Sequence, residues 1–147
     1  MTPAGAGYSG TPLPKKLGMR PGHRVAFPGA PDGFAGLFRD EGVEVVRQLR
    51  HPLDVIVLFA TTHAELARRF VSAKKALVDN GGLWVAWPKK ASRLPTDLSF
   101  EVVQPVGLDA GLVDNKVCAI DEVWSGLRFV YRVKDRPRPG VKRSPNR

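Results

Sequence analysis

Two short runs, Val55-Ile56-Val57-Leu58-Phe59 and Leu83-Trp84-Val85-Ala86-Trp87, decide the fold together with the residues between them. The first is β-branched and apolar with no polar alternation, the pattern of a strand covered on both faces, as strands of a parallel sheet are. Thr62-His63-Ala64-Glu65 matches a capping box, in which the Thr62 hydroxyl accepts from the Glu65 amide and the Glu65 carboxylate reaches back to the Thr62 amide. Leu66, Phe70, Ala73 and Leu77 then recur at spacings of four, three and four, the apolar face of a helix. Lys74 and Lys75 stand in its last turns, where cations suit the helix dipole, and Asn80-Gly81-Gly82 is expected to stop it in a left-handed turn. Strand, helix, strand in this order is a crossover between parallel neighbours.

Working outward, Arg24-Val25-Ala26-Phe27 is a short apolar run bounded by Gly and Pro, which reads as a buried strand. Residues 28–33 form a tight Gly/Pro loop, and residues 34–39 a short helix expected to turn Phe34, Leu37 and Phe38 inward. Val43-Glu44-Val45-Val46 is the second strand. Downstream, Thr96 or Asp97 is placed to cap a helix carrying Leu98, Val102 and Val103, which Pro105 should end early by removing a donor. Residues 113–120 and 127–133 read as strands joined by six residues, too few for a crossover, so this pair is antiparallel. The expected architecture is a Rossmann-like α/β fold: a mostly parallel sheet of five or six strands, helices on both faces, and a C-terminal antiparallel strand pair.

At 147 residues the chain fits one domain. Residues 1–12 read as a flexible N-terminal arm, 13–133 as the α/β domain, and 134–147 as a disordered basic tail with three prolines and Val141 as its only bulky apolar residue. The net charge of +9 sits largely in that tail, which has six basic residues against Asp135. The charge is therefore poor support for a basic face on the domain itself. A single cysteine, Cys118, excludes an internal disulfide and a Cys-rich zinc site. The longest wholly apolar run, residues 55–60, is strand-sized and excludes a membrane span. With no apolar signal core near Met1, a cytoplasmic location is expected.

The strand order and the two phrases Met19-Arg20-Pro21-Gly22-His23-Arg24-Val25 and Leu77-Val78-Asp79-Asn80-Gly81-Gly82-Leu83-Trp84-Val85 resemble the core of class I methyltransferases over residues 17–133. More narrowly, the chain resembles short bacterial proteins grouped as domain of unknown function 3052. That likeness rests on Tyr8-Ser9-Gly10-Thr11-Pro12-Leu13-Pro14-Lys15-Lys16-Leu17-Gly18, on residues 81–90, and on Trp124-Ser125-Gly126-Leu127-Arg128. The methyltransferase resemblance implies a Gly-x-Gly-x-Gly-like loop after the first strand and an acidic residue after the second, for S-adenosylmethionine. Here the loop is Pro28-Gly29-Ala30-Pro31-Asp32-Gly33, whose two prolines remove amide donors, and the second strand is followed by Arg47 and Gln48. Thr61-Thr62-His63 stands where active members carry acidic or Asn-Pro-Pro-like motifs. A fold of this kind does not itself imply the activity, and no cofactor is specified.

In open α/β sheets ligands lie beyond the carboxyl ends of the strands, where the strand order switches direction. Four loops leave those ends, and they gather Gly29, Gly33, Thr62, His63, Lys89, Lys90 and Arg93 as candidate ligand-binding residues, with Arg47 and Arg50 nearby. Cations beside a helix amino terminus suit a phosphate or another anion; the plain alternative is solvated lysines and a cap satisfied by its own box. His23 and His51 read as loop residues, Cys118 as a small buried hydrophobe, and Asp121 and Glu122 as loop carboxylates. No histidine pair has metal-ligand spacing. Trp84 and Trp87, three apart on a strand, point to opposite faces.

Three functions follow, in order. The first is a Rossmann-like binding or regulatory module recognising an anionic small molecule or nucleotide-like ligand at the strand-end rim. The second is a degenerate S-adenosylmethionine-dependent methyltransferase-like enzyme. The third is a nucleic-acid-associated protein that binds weakly and non-specifically through its basic tail.

Overall fold

A computed structural model describes residues 10–136; residues 1–9 of the expected arm and 137–147 of the expected tail lie outside the described residues. The six strands are β1 (Arg24–Ala26), β2 (Glu44–Val46), β3 (Leu53–Phe59), β4 (Leu77–Pro88), β5 (Leu112–Ala119) and β6 (Trp124–Tyr131), and the helices are α1 (Leu13–Lys16), α2 (His63–Ala76) and α3 (Phe100–Asp109). They form one sheet in the order β2-β1-β3-β4-β6-β5. β1 pairs in parallel with both β2 and β3, and β3 with β4, where Ile56 meets Leu83 and Leu58 meets Val85. β6 is antiparallel to both β4 and β5, so β5 runs in the direction of β4 and α3 is the crossover between them. The Rossmann-like architecture expected above is the one observed, with six strands.

Successive side chains of the central strands alternate between two cores. Ile56, Leu58, Leu83, Val85 and Trp87 pack with Leu66, Phe70 and Ala73 of α2 and Val103 of α3. Val55, Val57, Phe59, Trp84 and Ala86 face the other way, against Leu17, Met19, Phe34 and Phe38. Trp84 and Trp87 therefore do point to opposite faces. Among the described residues, the second face is covered by the single turn of α1 and by aromatic side chains of the loop after β1, with no long helix. The fully buried Trp84 satisfies its indole N–H by donating to the Leu17 carbonyl at 3.1 Å, which ties α1 to the sheet.

Several local expectations are corrected. α2 ends at Ala76, and Leu77 is already extended (φ −78°, ψ 134°), so Asn80-Gly81-Gly82 lies inside β4 and not in a helix stop. The glycines are there for close approach: a Cβ on Gly81 would stand 2.8 Å from the Asp54 carbonyl oxygen, and one on Gly82 would stand 2.5 Å from Arg128 Nε. α3 is preceded by Ser99 and continues through Pro105 to Asp109. Pro105 forgoes one backbone bond but is exposed, while Val103 and Gly107 anchor the helix on β6. In the 3₁₀ turn Ala35–Phe38, Phe34 and Phe38 are buried, but Leu37 is 60% exposed. Val133–Asp135 forms another 3₁₀ turn, and Arg136 donates twice to the Tyr131 carbonyl, so residues 134–136 fold back on β6.

Candidate functional site

The strand order changes direction between β1 and β3, and the loops after these two strands meet there. The Phe59 N–H donates to the Pro28 carbonyl at 2.9 Å, which lays the loop after β1 across the end of β3. Gly29 makes this approach possible. Its φ is +76°, and a Cβ would stand 2.7 Å from the Phe59 carbonyl oxygen and 2.6 Å from Nη1 of Arg69. Arg69, one turn after Glu65 on α2, donates from Nη1 to that same carbonyl at 2.5 Å. Phe34 closes the space from above, edge-on to Phe59 at 4.9 Å between ring centroids and to Phe27 at 5.0 Å, while Phe59 stacks edge-on against Trp124 at 5.0 Å. The crevice where this topology would seat a ligand is filled by the chain's own guanidinium and aromatic rings. Gly33 is also left-handed, φ +87°, but a Cβ there would meet nothing within 4 Å.

The amino terminus of α2 is engaged by neighbouring side chains. The capping box is complete: Thr62 Oγ1 accepts from the Glu65 amide at 3.1 Å, and Glu65 Oε1 accepts from the Thr62 amide at 3.4 Å. The same carboxylate oxygen takes the Thr61 amide at 2.9 Å and the Thr61 hydroxyl at 3.1 Å. The Thr61 amide, above all, holds the Glu65 carboxyl below the usual glutamate range, with smaller help from the Thr61 hydroxyl, Arg69 and the Thr62 amide and some opposition from burial. The His63 amide donates to Asp97 Oδ1 at 2.8 Å. Thr96 Oγ1 and the Asp97 amide both donate to the Thr61 carbonyl, at 2.6 and 3.3 Å. Thr96 and Asp97, read from sequence as caps of α3, instead clasp the loop after β4 onto the start of α2.

That clasp positions Lys89, Lys90 and Arg93. The Lys89 amide donates to the Val123 carbonyl at 2.7 Å, the Lys89 carbonyl accepts from the Ser92 hydroxyl at 2.6 Å, and Lys90–Ser92 forms a 3₁₀ turn. Arg93 closes the turn in the left-handed conformation, φ 61° and ψ 10°, the one non-glycine residue with positive φ among the described residues. Lys90 and Arg93 are exposed and Lys89 is half-buried. The structure thus brings Thr62 and His63 together with the loop bearing Lys89, Lys90 and Arg93, and places Gly29 against the Phe59 carbonyl. Arg47, Gln48 and Arg50 lie exposed just beyond β2.

Other candidate groups are structural. Asp121 Oδ1 accepts from the amides of Val123 and Trp124, both at 2.8 Å, and so shapes the turn into β6. Burial pushes the half-buried Cys118 thiol up, against the pull of Lys16, Lys116 and Lys89. His23 Nδ1 accepts from the Arg20 amide at 3.2 Å. Among the described residues no three His, Cys, Asp or Glu side chains gather as a metal would need, and no helix is long and apolar enough to cross a membrane. Sequence reasoning missed Arg69 and misread the role of Thr96 and Asp97. Neither the bond from Arg69 to the Phe59 carbonyl nor the clasp, a contact across 34 residues, has a local signature.

Solved structures share this fold. The fibrillarin pre-rRNA processing protein of Methanococcus jannaschii superposes with a TM-score of 0.54 at 10% identity, over 82% of this chain and 69% of that one. A SAM-dependent methyltransferase from Aquifex aeolicus gives 0.52 at 16% identity, over 78% and 85%. A putative type 11 methyltransferase from Sulfolobus solfataricus gives 0.52 at 12% identity, over 88% and 95%. No protein-family model and no curated protein sequence matches the chain. At these identities the likeness establishes a methyltransferase-like Rossmann fold.

Proposed function

We propose that this chain is a Rossmann-like binding or regulatory module that recognises an anionic, nucleotide-like small molecule at the strand-end rim. Lys89, Lys90 and Arg93 would carry the ligand's charge, Thr62 and His63 would form the adjoining wall, and Gly29 and Gly33 would shape the loop opposite. The observation that carries the reading is the contrast between a filled switch point and an exposed basic turn, clasped in place, whose Arg93 holds a strained conformation. Strain of this kind is retained where surrounding structure enforces it, commonly at ligand sites. The resemblance to domain of unknown function 3052, a family without an established activity, is compatible with a module of this kind.

The test is a thermal-shift screen of the whole chain with pyrophosphate, ATP and S-adenosylmethionine at millimolar concentration. A ligand present at about a hundred times its Kd adds about 2.7 kcal/mol of stability, a readily measured rise in Tm. The rim reading expects a shift with pyrophosphate or ATP that is reduced in Lys90→Ala/Arg93→Ala. No shift, or one indifferent to the double substitution, refutes it.

A second reading, an S-adenosylmethionine-dependent methyltransferase-like enzyme, is favoured by the methyltransferase fold of the structural neighbours. It requires the Arg69 guanidinium to leave Phe59 when the cofactor enters. Under this reading S-adenosylmethionine shifts the Tm, and the Lys90→Ala/Arg93→Ala variant responds as the wild type does.

A further inference from the structure

At the opposite end of the sheet from the rim, three arginines collect where β6 leaves the core. Arg128 pairs with Trp84 and projects to the same side of the sheet, and Arg132 directly follows the last residue of β6 in an extended conformation, φ −61° and ψ 144°. Arg136 returns through the 3₁₀ turn Val133–Asp135 and donates from Nε and Nη2 to the Tyr131 carbonyl at 3.1 and 2.9 Å, next to Arg132. Arg128 lies flat against β4: a Cβ on Gly82 would stand 2.5 Å from its Nε and 2.8 Å from its Nη2. A side chain at position 82 would push the guanidinium out of this place.

The hydrogen bonds of Arg128 and Arg136 go to neutral oxygens. The hydrogen bond recorded for Arg128 is a long one, 3.5 Å from Nη1 to Asn115 Oδ1. Arg132 Nε is buried and has no hydrogen-bond partner among the described residues. The ion pair of Arg24 with Glu44 involves none of the three, and Asp135, in the turn before Arg136, is itself engaged. Burial, and then the charge of Arg136, both work against the protonated form of Arg128. A guanidinium nevertheless stays charged throughout the physiological range. Half-buried, mutually repelling cations are costly unless an anion joins them.

Guanidiniums favour a phosphoryl group for geometric reasons. Each presents a planar fork of donors that matches two oxygens, and a phosphate accepts from several forks at once where one carboxylate is saturated sooner. Beyond Arg136 the sequence continues with Arg138, Lys142, Arg143 and Arg147 and no acidic residue, a composition that suits a ligand with repeated negative charge.

We propose that Arg128, Arg132 and Arg136 form a second anion site, distinct from the rim, that takes a phosphoryl group. Two sources carry this chemistry, a small phosphorylated ligand and the backbone of a nucleic acid, and the test separates them. The intact 147-residue chain is titrated with inorganic pyrophosphate by calorimetry and with a fluorescently labelled single-stranded oligonucleotide by anisotropy, at 50 and 200 mM salt. Arg132→Ala/Arg136→Ala should weaken binding of the responding probe about tenfold or more. For the oligonucleotide it should also make the log–log salt dependence shallower by about 1.4, at about 0.7 for each of two single-strand phosphate contacts. Response to the oligonucleotide alone identifies a nucleic-acid backbone; response to pyrophosphate as well identifies a site for small phosphorylated ligands.

Lys90→Ala/Arg93→Ala serves as the control and should leave this component unchanged, so failure of the rim reading and failure of this one are told apart. Should the double arginine variant lose its folded circular dichroism, Arg132→Lys replaces it, keeping the charge and removing the fork; several-fold weaker binding is then expected. Wild-type chain that binds neither probe, or arginine variants that bind both as the wild type does, would overturn the proposal.

Discussion

Replacing Gly29 by alanine tests whether the switch point is closed as described. Two costs add. An L-residue held at φ +76° costs about 1 kcal/mol relative to glycine. The new Cβ would also stand 2.7 Å from the Phe59 carbonyl and 2.6 Å from Arg69 Nη1, so the loop must lift or the guanidinium must withdraw. Withdrawing the guanidinium breaks a charge-assisted hydrogen bond worth about 1.5–3 kcal/mol, and lifting the loop breaks the Phe59–Pro28 bond, worth about 1 kcal/mol. The sum is about 3 kcal/mol. Gly33→Ala is the internal control, because Gly33 has a similar φ of +87° and open space around its Cβ position. It should cost about 1 kcal/mol, and the entropy that alanine removes from the unfolded chain is common to both variants. Urea unfolding followed by circular dichroism gives the difference. With a slope of about 2 kcal/mol per molar, the Gly29→Ala midpoint should lie about 1 M below that of Gly33→Ala. In an Arg69→Ala background that gap should narrow, since the hydrogen bond is already gone. Equal midpoints for the two glycine variants would show that the loop does not press on Phe59 and Arg69, and the closed crevice would have to be abandoned.

Three further outcomes are expected. Gly107→Ala forces a methyl group into the Phe129 ring, so the chain should lose about 2 kcal/mol by urea titration despite the better helix propensity of alanine; a neutral result would mean that α3 is not seated on β6 as described. Because Glu65 titrates below its unfolded value, its contribution is present above the ordinary glutamate range and lost as pH falls through the lowered folded value; Glu65→Gln should flatten that part of the stability–pH profile, and an unchanged profile on acidification through and below the ordinary glutamate range would contradict the assignment. Arg93→Gly relieves a left-handed arginine and should stabilise the chain by about 0.5–1 kcal/mol while abolishing any rim-dependent ligand shift; a loss of stability would mean that the side chain carries packing of its own.

The fold was legible because its signals are local. The unbroken apolar run of β3, the capping box at Thr62 and the apolar face of α2 each require only neighbours in sequence, and each is seen. The short link before β6, read as six residues and observed as the four from Ile120 to Val123, was equally decisive, since so short a link permits only a reversal. Misreadings arose where a residue serves something distant. Gly81 and Gly82 look like a helix stop, but they make room for the Asp54 carbonyl and for Arg128, 46 residues away from Gly82. Pro105 looks like a terminator, but one lost backbone bond is outweighed when Val103 and Gly107 anchor the helix. At the candidate site the loops were predicted to share one edge, and the parallel pairing of β1, β3 and β4 puts them there. What could not be read was how the side chains are used. Asp97 takes the amide of His63, and Arg69 reaches a carbonyl ten residues back, contacts that depend on tertiary placement alone.

The closed crevice also sets what a cofactor would have to overcome. Seating a ligand between β1 and β3 breaks the Arg69–Phe59 bond, at about 1.5–3 kcal/mol, and the Phe59–Pro28 bond, at about 1 kcal/mol. It also parts the Phe34–Phe59 ring pair, at about 1 kcal/mol. Together these come to about 4 kcal/mol, which populates the open form to about one part in a thousand. A cofactor with an intrinsic Kd of about 1 µM would then register at about 1 mM. Arg69→Ala removes about half of the penalty, so under the enzyme reading S-adenosylmethionine should bind that variant about thirtyfold more tightly than the wild type. Isothermal titration of the two proteins measures the ratio directly. If Arg69→Ala binds S-adenosylmethionine no better than the wild type while pyrophosphate binding at the rim persists, the methyltransferase frame has been kept for its architecture and its cofactor crevice given over to packing.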